Sequence, residues 1–337
     1  MKISILDQSP VTAASSPREA VEQTLELAVA ADKLGYHRFW VSEHHNSMSF
    51  ASASPEIMLT RIAGLTERIR VGSGGVLLGH YSPLKIAEQF RLLECFFPGR
   101  IDLGLGRASG ADRLATSALH NGGELRDGGF EKVAELRRLL RAAPRKDSTY
   151  NAVHASPMVE TQPEVWILGT SPASAQYAAD NGLPYAFGAF INHEHLVPAL
   201  ETYHRNFRPS AAQPKPYVNL AVFAVACDSE ERARQVIKSS ELWVVNSFLH
   251  KQNIVFPSMA EAAAHAYTPN EELVLQFRRQ AAVYGPVEKV ASTLRNMAAN
   301  LMADELTIIT ITEQFQDRLR SYELLAEALI ERNAVPA

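Results

Sequence analysis

Cysteine is scarce: there are two in 337 residues, Cys95 and Cys227. They lie far apart, each inside an apolar run and without CxxC spacing. A disulfide framework and a thiolate metal site are both excluded, and two buried thiols in a reducing compartment are expected. Long apolar runs are missing too. None reaches the ~20 residues of a membrane span, and the opening "MKISILDQSP" holds too short an apolar stretch for a signal peptide. A cytoplasmic protein with no membrane partner is therefore expected. No basic block stands out either, with 33 Lys and Arg against 37 Asp and Glu, so there is no electrostatic footprint for nucleic acid. The adjacent His44 and His45 cannot easily bind one ion and HExxH is absent, so no metal is expected. Repeats, low-complexity tracts and linkers are lacking, which reads as a single domain over 1–337.

What is there is a regular alternation. Eight short apolar runs read as strands: "ISIL" (3–6), "RFWVS" (38–42), "IRVGSG" (69–74), "RIDLGLG" (100–106), "EVWILG" (164–169), "PYAFG" (184–188), "YVNLAVFAVA" (217–226) and "ELTIIT" (305–310). Most are continuously apolar, as strands covered by helices on both faces must be. Between them lie helical patterns. "SPREAVEQTLELAVAADKLG" opens on Ser-Pro, carries Val21, Leu25, Ala28 and Leu34 on a helical period, and stops at Gly35. "SPEIMLTRIAGLTE" and "SPLKIAEQFRLLECFFPG" repeat the Ser-Pro opening. This order predicts an α/β fold, a (β/α)8 TIM barrel; a doubly wound open sheet is the alternative. The stretches 107–163, with the helix "FEKVAELRRLLRAA", and 229–285 exceed what one crossover needs. They read as helical and loop insertions after strands four and seven, on the face where barrels carry their sites. Residues 251–284 are the candidate lid.

Four clusters fall at strand C-terminal ends. The second strand runs into Ser42, Glu43, His44 and His45. Adjacent residues point to opposite sides, so one histidine enters a pocket while the other packs beside it. Such a histidine is a candidate base or hydrogen-bond donor; two satisfied loop histidines are the plainer reading. "VGSGGVLLGHYSP" (71–83) packs three glycines into four positions, which suits either a tight turn or close approach to a flat group. In "LGLGRASG" (103–110), Arg107 directly follows the fourth strand and offers a rigid fork for phosphate, or a surface ion pair. In "WILGTSPASAQYAADNG" (166–182), Gly169, Thr170 and Ser171 open a helix, where free N–H groups favour an anion.

Taken together, "WVSEHH", "VGSGGVLLGHYSPLKIAEQFRLLECFFPGRIDLGLGR" and "ILGTSPASAQYAADNGLPYAFG" resemble the bacterial luciferase-like flavin monooxygenase family, in its single-chain members. The resemblance is sharpest over 36–110 and weakest over 190–285. It implies a barrel that binds FMN at the strand C-termini. His44 would be the base-like histidine. A non-prolyl cis peptide would fall at Gly74–Gly75, against the flavin ring, with Leu168 beside it. Arg107, Gly169, Thr170, Ser171 and Ser174 would hold the phosphate. Light-emitting members carry a reactive cysteine where this chain has Gly106, which argues against luminescence.

The resemblance further implies an enzyme that uses reduced FMN and O2, through a C4a-peroxyflavin, to oxidise a small organic substrate. A separate NAD(P)H:flavin reductase would supply the flavin, since no second nucleotide fingerprint is visible. A histidine with an ordinary pKa near 6.5 would suit the proton traffic. Apolar residues on several faces of the second and third helices (Ile57, Met58, Leu59, Ile62, Leu65; Ile86, Phe90, Leu93) point to burial, at a homodimer interface as in the family. A non-catalytic flavin-binding protein, an F420-dependent oxidoreductase on the same barrel and a flavin-free phosphate-binding isomerase are the alternatives.

Overall fold

The computed structural model describes residues 1–106, 110–121, 129–141 and 153–331. All eight expected runs are strands: β1 (Lys2–Asp7), β2 (Arg38–Val41), β3 (Arg70–Leu77), β4 (Ile101–Gly106), β5 (Glu164–Gly169), β6 (Tyr185–Gly188), β7 (Val218–Cys227) and β9 (Glu305–Ile309). They pair in parallel in chain order, and β7 bonds both β6 and β9 while β9 bonds β1. The sheet therefore closes into a (β/α)8 barrel, not the open alternative. A ninth strand, β8 (Ala282–Pro286), escaped the sequence reading. It pairs with Phe223–Cys227, the half of β7 that overhangs the barrel.

The first helices show how local sequence sets this frame. α1 (Pro17–Leu34) begins at a capping box in which Ser16 and Glu19 satisfy each other's backbone N–H, and it ends at Gly35 with φ 89°. Its buried stripe is Ala20, Thr24, Leu27, Ala28, Ala31 and Asp32, rotated from the apolar positions Val21, Leu25 and Leu34, which are half-buried. Polar chemistry causes the rotation. Thr24 donates to Asp7 Oδ1 (2.7 Å), and Asp32 accepts from the backbone N–H of Glu67, Arg68 and Ile69. Helices α2 (Pro55–Leu65) and α3 (Pro83–Phe96) share the Ser-Pro opening, but Ser54 and Ser82 make no side-chain cap bond.

On these two helices Leu59, Ile62, Ile86, Phe90 and Leu93 pack into the barrel, whereas Ile57 and Leu65 are exposed beside Leu92 and Phe96. The helices are thus buried on one face and carry an apolar face outward. Cys95 also faces out on α3, so the expectation of two buried thiols holds for Cys227 alone. α3 carries apolar residues on its outward face as well as its buried one, and a small thiol fits either side.

The lower mouth of the barrel is closed by charge. Arg38 bonds Asp102 (2.8 Å), Glu164 (2.9 Å) and Glu305 (3.1 Å), and Arg70 also bonds Asp102. Trp40 Nε1 and Tyr217 Oη donate to Asp102 and Glu305, and Ser4 bonds Glu305. Burial this deep requires such full pairing. The opposite mouth stays open.

The later elements follow in order around the barrel. α4 (Arg113–Leu119) and α5 (Gly129–Leu140) follow β4, and α6 (Pro172–Asp180) and α7 (Leu196–Asn206) follow β5 and β6. Between β7 and β8 come α8 (Glu230–Val244), a π turn (Val245–Leu249), α9 (Met259–Ala264) and α10 (Pro269–Gln280). This insertion is pinned to the loop after β1: Phe256 N donates to Val11 O and Ala13 N to Phe256 O. α11 (Val287–Asn300) and α12 (Phe315–Leu329) complete the outer ring.

Candidate active site

A cavity of about 620 Å³ opens at the C-terminal ends of the strands. That is ample for a cofactor or drug-sized ligand. Its lining includes His44, Gly74, Gly75, Leu168, Gly169, Thr170, Ser171 and Ser174, so these candidates from three separate stretches meet in one place. Arg107 lies outside the described residues. Its sequence neighbours Gly106 and Gly110 line the same cavity.

His44 is brought in from the end of β2 and is half-buried. Its Nδ1 lies 3.0 Å from Ser42 Oγ, and its Nε2 lies 3.5 Å from the Gln8 amide nitrogen, at the limit of a hydrogen bond. Burial, helped by the neighbouring His45, pushes its pKa down to about 4. The imidazole is therefore neutral near pH 7, which corrects the expectation of an ordinary value. His45 turns the other way, as strand alternation requires: its Nε2 lies 2.8 Å from Glu43 Oε1 and 3.3 Å from Tyr81 Oη. Buried Glu43 also accepts from Tyr81 Oη (2.6 Å) and from Leu77 N (2.9 Å). This second shell of bonds fixes the backbone that presents His44.

The glycine run is not a tight turn. Gly74 and Gly75 lie within β3, at a register shift against β4, and the peptide joining them is cis. A Cβ on Gly75 would come within 2.8 Å of Gly104 O, and one on Gly74 within 2.7 Å of Leu6. These positions admit no side chain, which leaves bare backbone facing the cavity.

At the start of α6, Ser171 is the N-cap and accepts from Ser174 N (3.4 Å). Buried Ser174 donates to Ser171 O (2.7 Å) and lies 3.0 Å from Tyr185 Oη. Its hydroxyl is thus committed to holding the turn. A Cβ on Gly169 would collide with the Ser174 side chain, so the turn and the glycine require each other.

Several lining residues were not foreseen. Asn219 and Thr307 sit deep in the cavity, fully buried, and Asn219 Nδ2, Asn219 Oδ1 and Thr307 Oγ1 have no hydrogen-bond partner. Polar atoms buried this way call for a partner. A lone Asn inside "YVNLAVFAVA" was the available signal. An aromatic wall comes from the β2 loop and the insertion: His44 stacks at 4.5 Å on Phe50, Phe50 meets Trp243 at 5.6 Å, and Trp243 meets Phe248 at 5.7 Å. Arg278 and Arg279 of α10 complete that side.

Such a cavity, with bare glycine backbone at one wall, a hydroxyl-rich helix start at another and orphaned buried polar atoms in its lining, fits a flat ring system carrying an anionic group. The chain belongs to the luciferase-like monooxygenase family, which it matches over residues 1–305. It is 40% identical to the Bacillus subtilis protein YwcH, covering 98% of this chain and 100% of that one. It is 34% identical to the N-acetyl-S-alkylcysteine monooxygenase of Bacillus subtilis, over 98% of each chain. The solved structure of apo-MsnO8 is 37% identical, covers 97% of this chain and 98% of its own, and superposes with a TM-score of 0.89. More distant structures share the fold. One is the oxygenating constituent of 3,6-diketocamphane monooxygenase from Pseudomonas putida with FMN (17% identity, 98% and 97% covered, TM-score 0.72). Another is an F420-dependent secondary alcohol dehydrogenase (14% identity, 98% and 99% covered, TM-score 0.68).

Proposed function

We propose that the protein is an FMN-dependent monooxygenase that oxidises a small organic substrate with reduced FMN and O2. A separate NAD(P)H:flavin reductase delivers the flavin. The observation that carries this reading is the convergence of His44, the bare Gly74–Gly75 backbone and the Gly169–Ser171 turn on one cavity. Arg107 and the N-terminal end of α6 would hold the phosphate, with Gly169, Thr170 and Ser171 shaping its seat and Ser174 bracing it. Gly74, Gly75 and Leu168 lie against the ring. When bound, reduced flavin supplies the electrons and activates oxygen.

The chain's own part is to hold, dry and proton-steer the site. The wall of Phe50, Trp243 and Phe248 keeps water from the reacting face. Neutral His44 accepts or donates a proton at Nε2, its ring fixed by Ser42 through Nδ1. The protein acts as a cytoplasmic homodimer through the outward apolar face of α2 and α3.

Titration of the protein with FMN and with F420, read by absorbance, followed by oxygen uptake with an NADH:flavin reductase, tests this. FMN is expected to bind in preference to F420, and uptake in the presence of small organic acids, N-acetyl-S-alkylcysteines among them as for one relative, is expected to exceed that of the reductase alone. Preference for F420, or FMN binding with no added uptake across such substrates, overturns the monooxygenase reading. The Arg107→Ala variant is expected to weaken FMN at least about tenfold more than riboflavin; equal weakening removes the phosphate assignment.

A further inference from the structure

α10 presents two consecutive arginines to the cavity, and their surroundings differ. Arg279 is neutralised: its Nε and Nη2 bond Glu241 at 2.5 and 2.8 Å, and its Nη1 reaches Glu272 at 3.2 Å. Arg278 is not. Its guanidinium lies 4.4 Å over the Phe248 ring, and its Nη1 donates to Phe190 O at 2.9 Å. No carboxylate among the described residues pairs with it. Its surroundings act on it through burial alone, which lowers its pKa. A guanidinium stays charged at any working pH. Half-buried and lining a largely apolar cavity, it is a cation without a counter-ion, and that arrangement is costly unless an anion arrives.

The way there is continuous. His44, Phe50, Trp243, Phe248 and Arg278 follow one another in that order: His44 lies tilted against Phe50, Phe50 meets Trp243 and Trp243 meets Phe248 edge to face, and the Arg278 guanidinium lies over the Phe248 ring. A ligand with an apolar body can lie along this wall with one end near His44 and the other at the arginine. The aromatic face also fixes the guanidinium plane, so its fork is already oriented for a two-oxygen acceptor.

We propose that Arg278 is a specificity-determining residue that receives the carboxylate of the substrate, and that the substrate class is small organic acids with an apolar body. This rests on the monooxygenase reading of the same cavity. A phosphate presents the same oxygen chemistry, and the cofactor is its other source. The seat at the start of α6 follows strand β5, however, whereas Arg278 is carried by the insertion that also supplies Trp243 and Phe248 of the aromatic wall.

The test uses calorimetry on the intact protein with 4-phenylbutyrate and its neutral analogue 4-phenylbutanamide, for wild type, Arg278→Met and Arg278→Lys. Flavin fluorescence in parallel gives the affinities for FMN and riboflavin. Wild type is expected to prefer the acid by about tenfold to a hundredfold, as for a charge-assisted hydrogen-bonded pair. Arg278→Met is expected to erase that preference while amide and FMN affinities stay put, and Arg278→Lys to recover part of it. A wild type that binds both probes alike, or a preference that survives Arg278→Met, overturns the proposal. So does an Arg278→Met variant that weakens FMN but not riboflavin, because the arginine then serves the cofactor. Failure of FMN to bind wild type at all defeats the flavin reading instead, and the acid-to-amide comparison still reports on Arg278.

Discussion

A single imidazole decides how the proposed chemistry responds to pH. With its pKa pushed down to about 4 by burial, His44 changes charge well below the working range. His44→Ala is expected to keep FMN affinity while oxygen-coupled turnover falls about a hundredfold, the ordinary worth of a positioned acid or base. In wild type the turnover profile between pH 6 and 9 should carry no inflection that His44→Ala removes; such an inflection would mean that the histidine titrates there. Asp32 is a second residue whose surroundings can be turned into a measurement. Burial raises its pKa, but three backbone N–H donors outweigh that and hold it below the ordinary carboxylate range. The stability it contributes is therefore complete above the unfolded value near 3.9 and is lost as pH falls through the lower folded value. Asp32→Ala is expected to cost about 2 kcal/mol in urea unfolding at pH 7, with the gap to wild type closing as the acid limit is approached. That one of the two adjacent histidines enters the cavity was legible in the sequence, because alternation separates neighbouring side chains, but the choice of His44 came from the family resemblance. Asp32 was not legible, because its partners lie 35 residues away in the chain.

Elements were readable where one physical pattern ran unbroken. Most of the eight barrel strands are continuous apolar runs, and α1, α2, α3 and α6 open on Ser-Pro, so their order was visible without coordinates. β8 was hidden because "AVYGP" is short and follows a helix directly, and its partner is the overhang of β7, a strand already counted. The Gly-rich run left a tight turn and close approach to a flat group both open, because glycine serves turns as well as crowded strands. The start of α6 was read correctly as a helix opening, but the commitment of Ser174 inward depends on Tyr185 of β6. That joint can be probed as a unit. Gly169→Ala puts a methyl where Ser174 stands, so the turn must open. FMN affinity is expected to fall about tenfold or more with the fold intact by circular dichroism; unchanged affinity would show that the turn is no part of the phosphate seat.

For the whole molecule, the two mouths of the barrel divide the labour. Arg38 and its carboxylates seal one end, and the cavity occupies the other. No sequence pattern shows the seal, because its members come from strands scattered along the chain. The outer face of α2 and α3 is where assembly should show. Ile57, Leu65, Leu92 and Phe96 are exposed together, and a double Ile57→Glu, Phe96→Glu variant is expected to sediment as a monomer where wild type sediments as a dimer. A wild type that is monomeric at micromolar concentration would remove this face as an interface. The overhang of β7 has a wider consequence. Because β8 zips onto it and α8 packs back on the same strand, everything between them is clamped to the wall at both ends. That stretch can be cut out and replaced like a cassette without disturbing the closed staves beneath, so a graft from another family member should transplant its appetite for substrate and leave the flavin seat as it was.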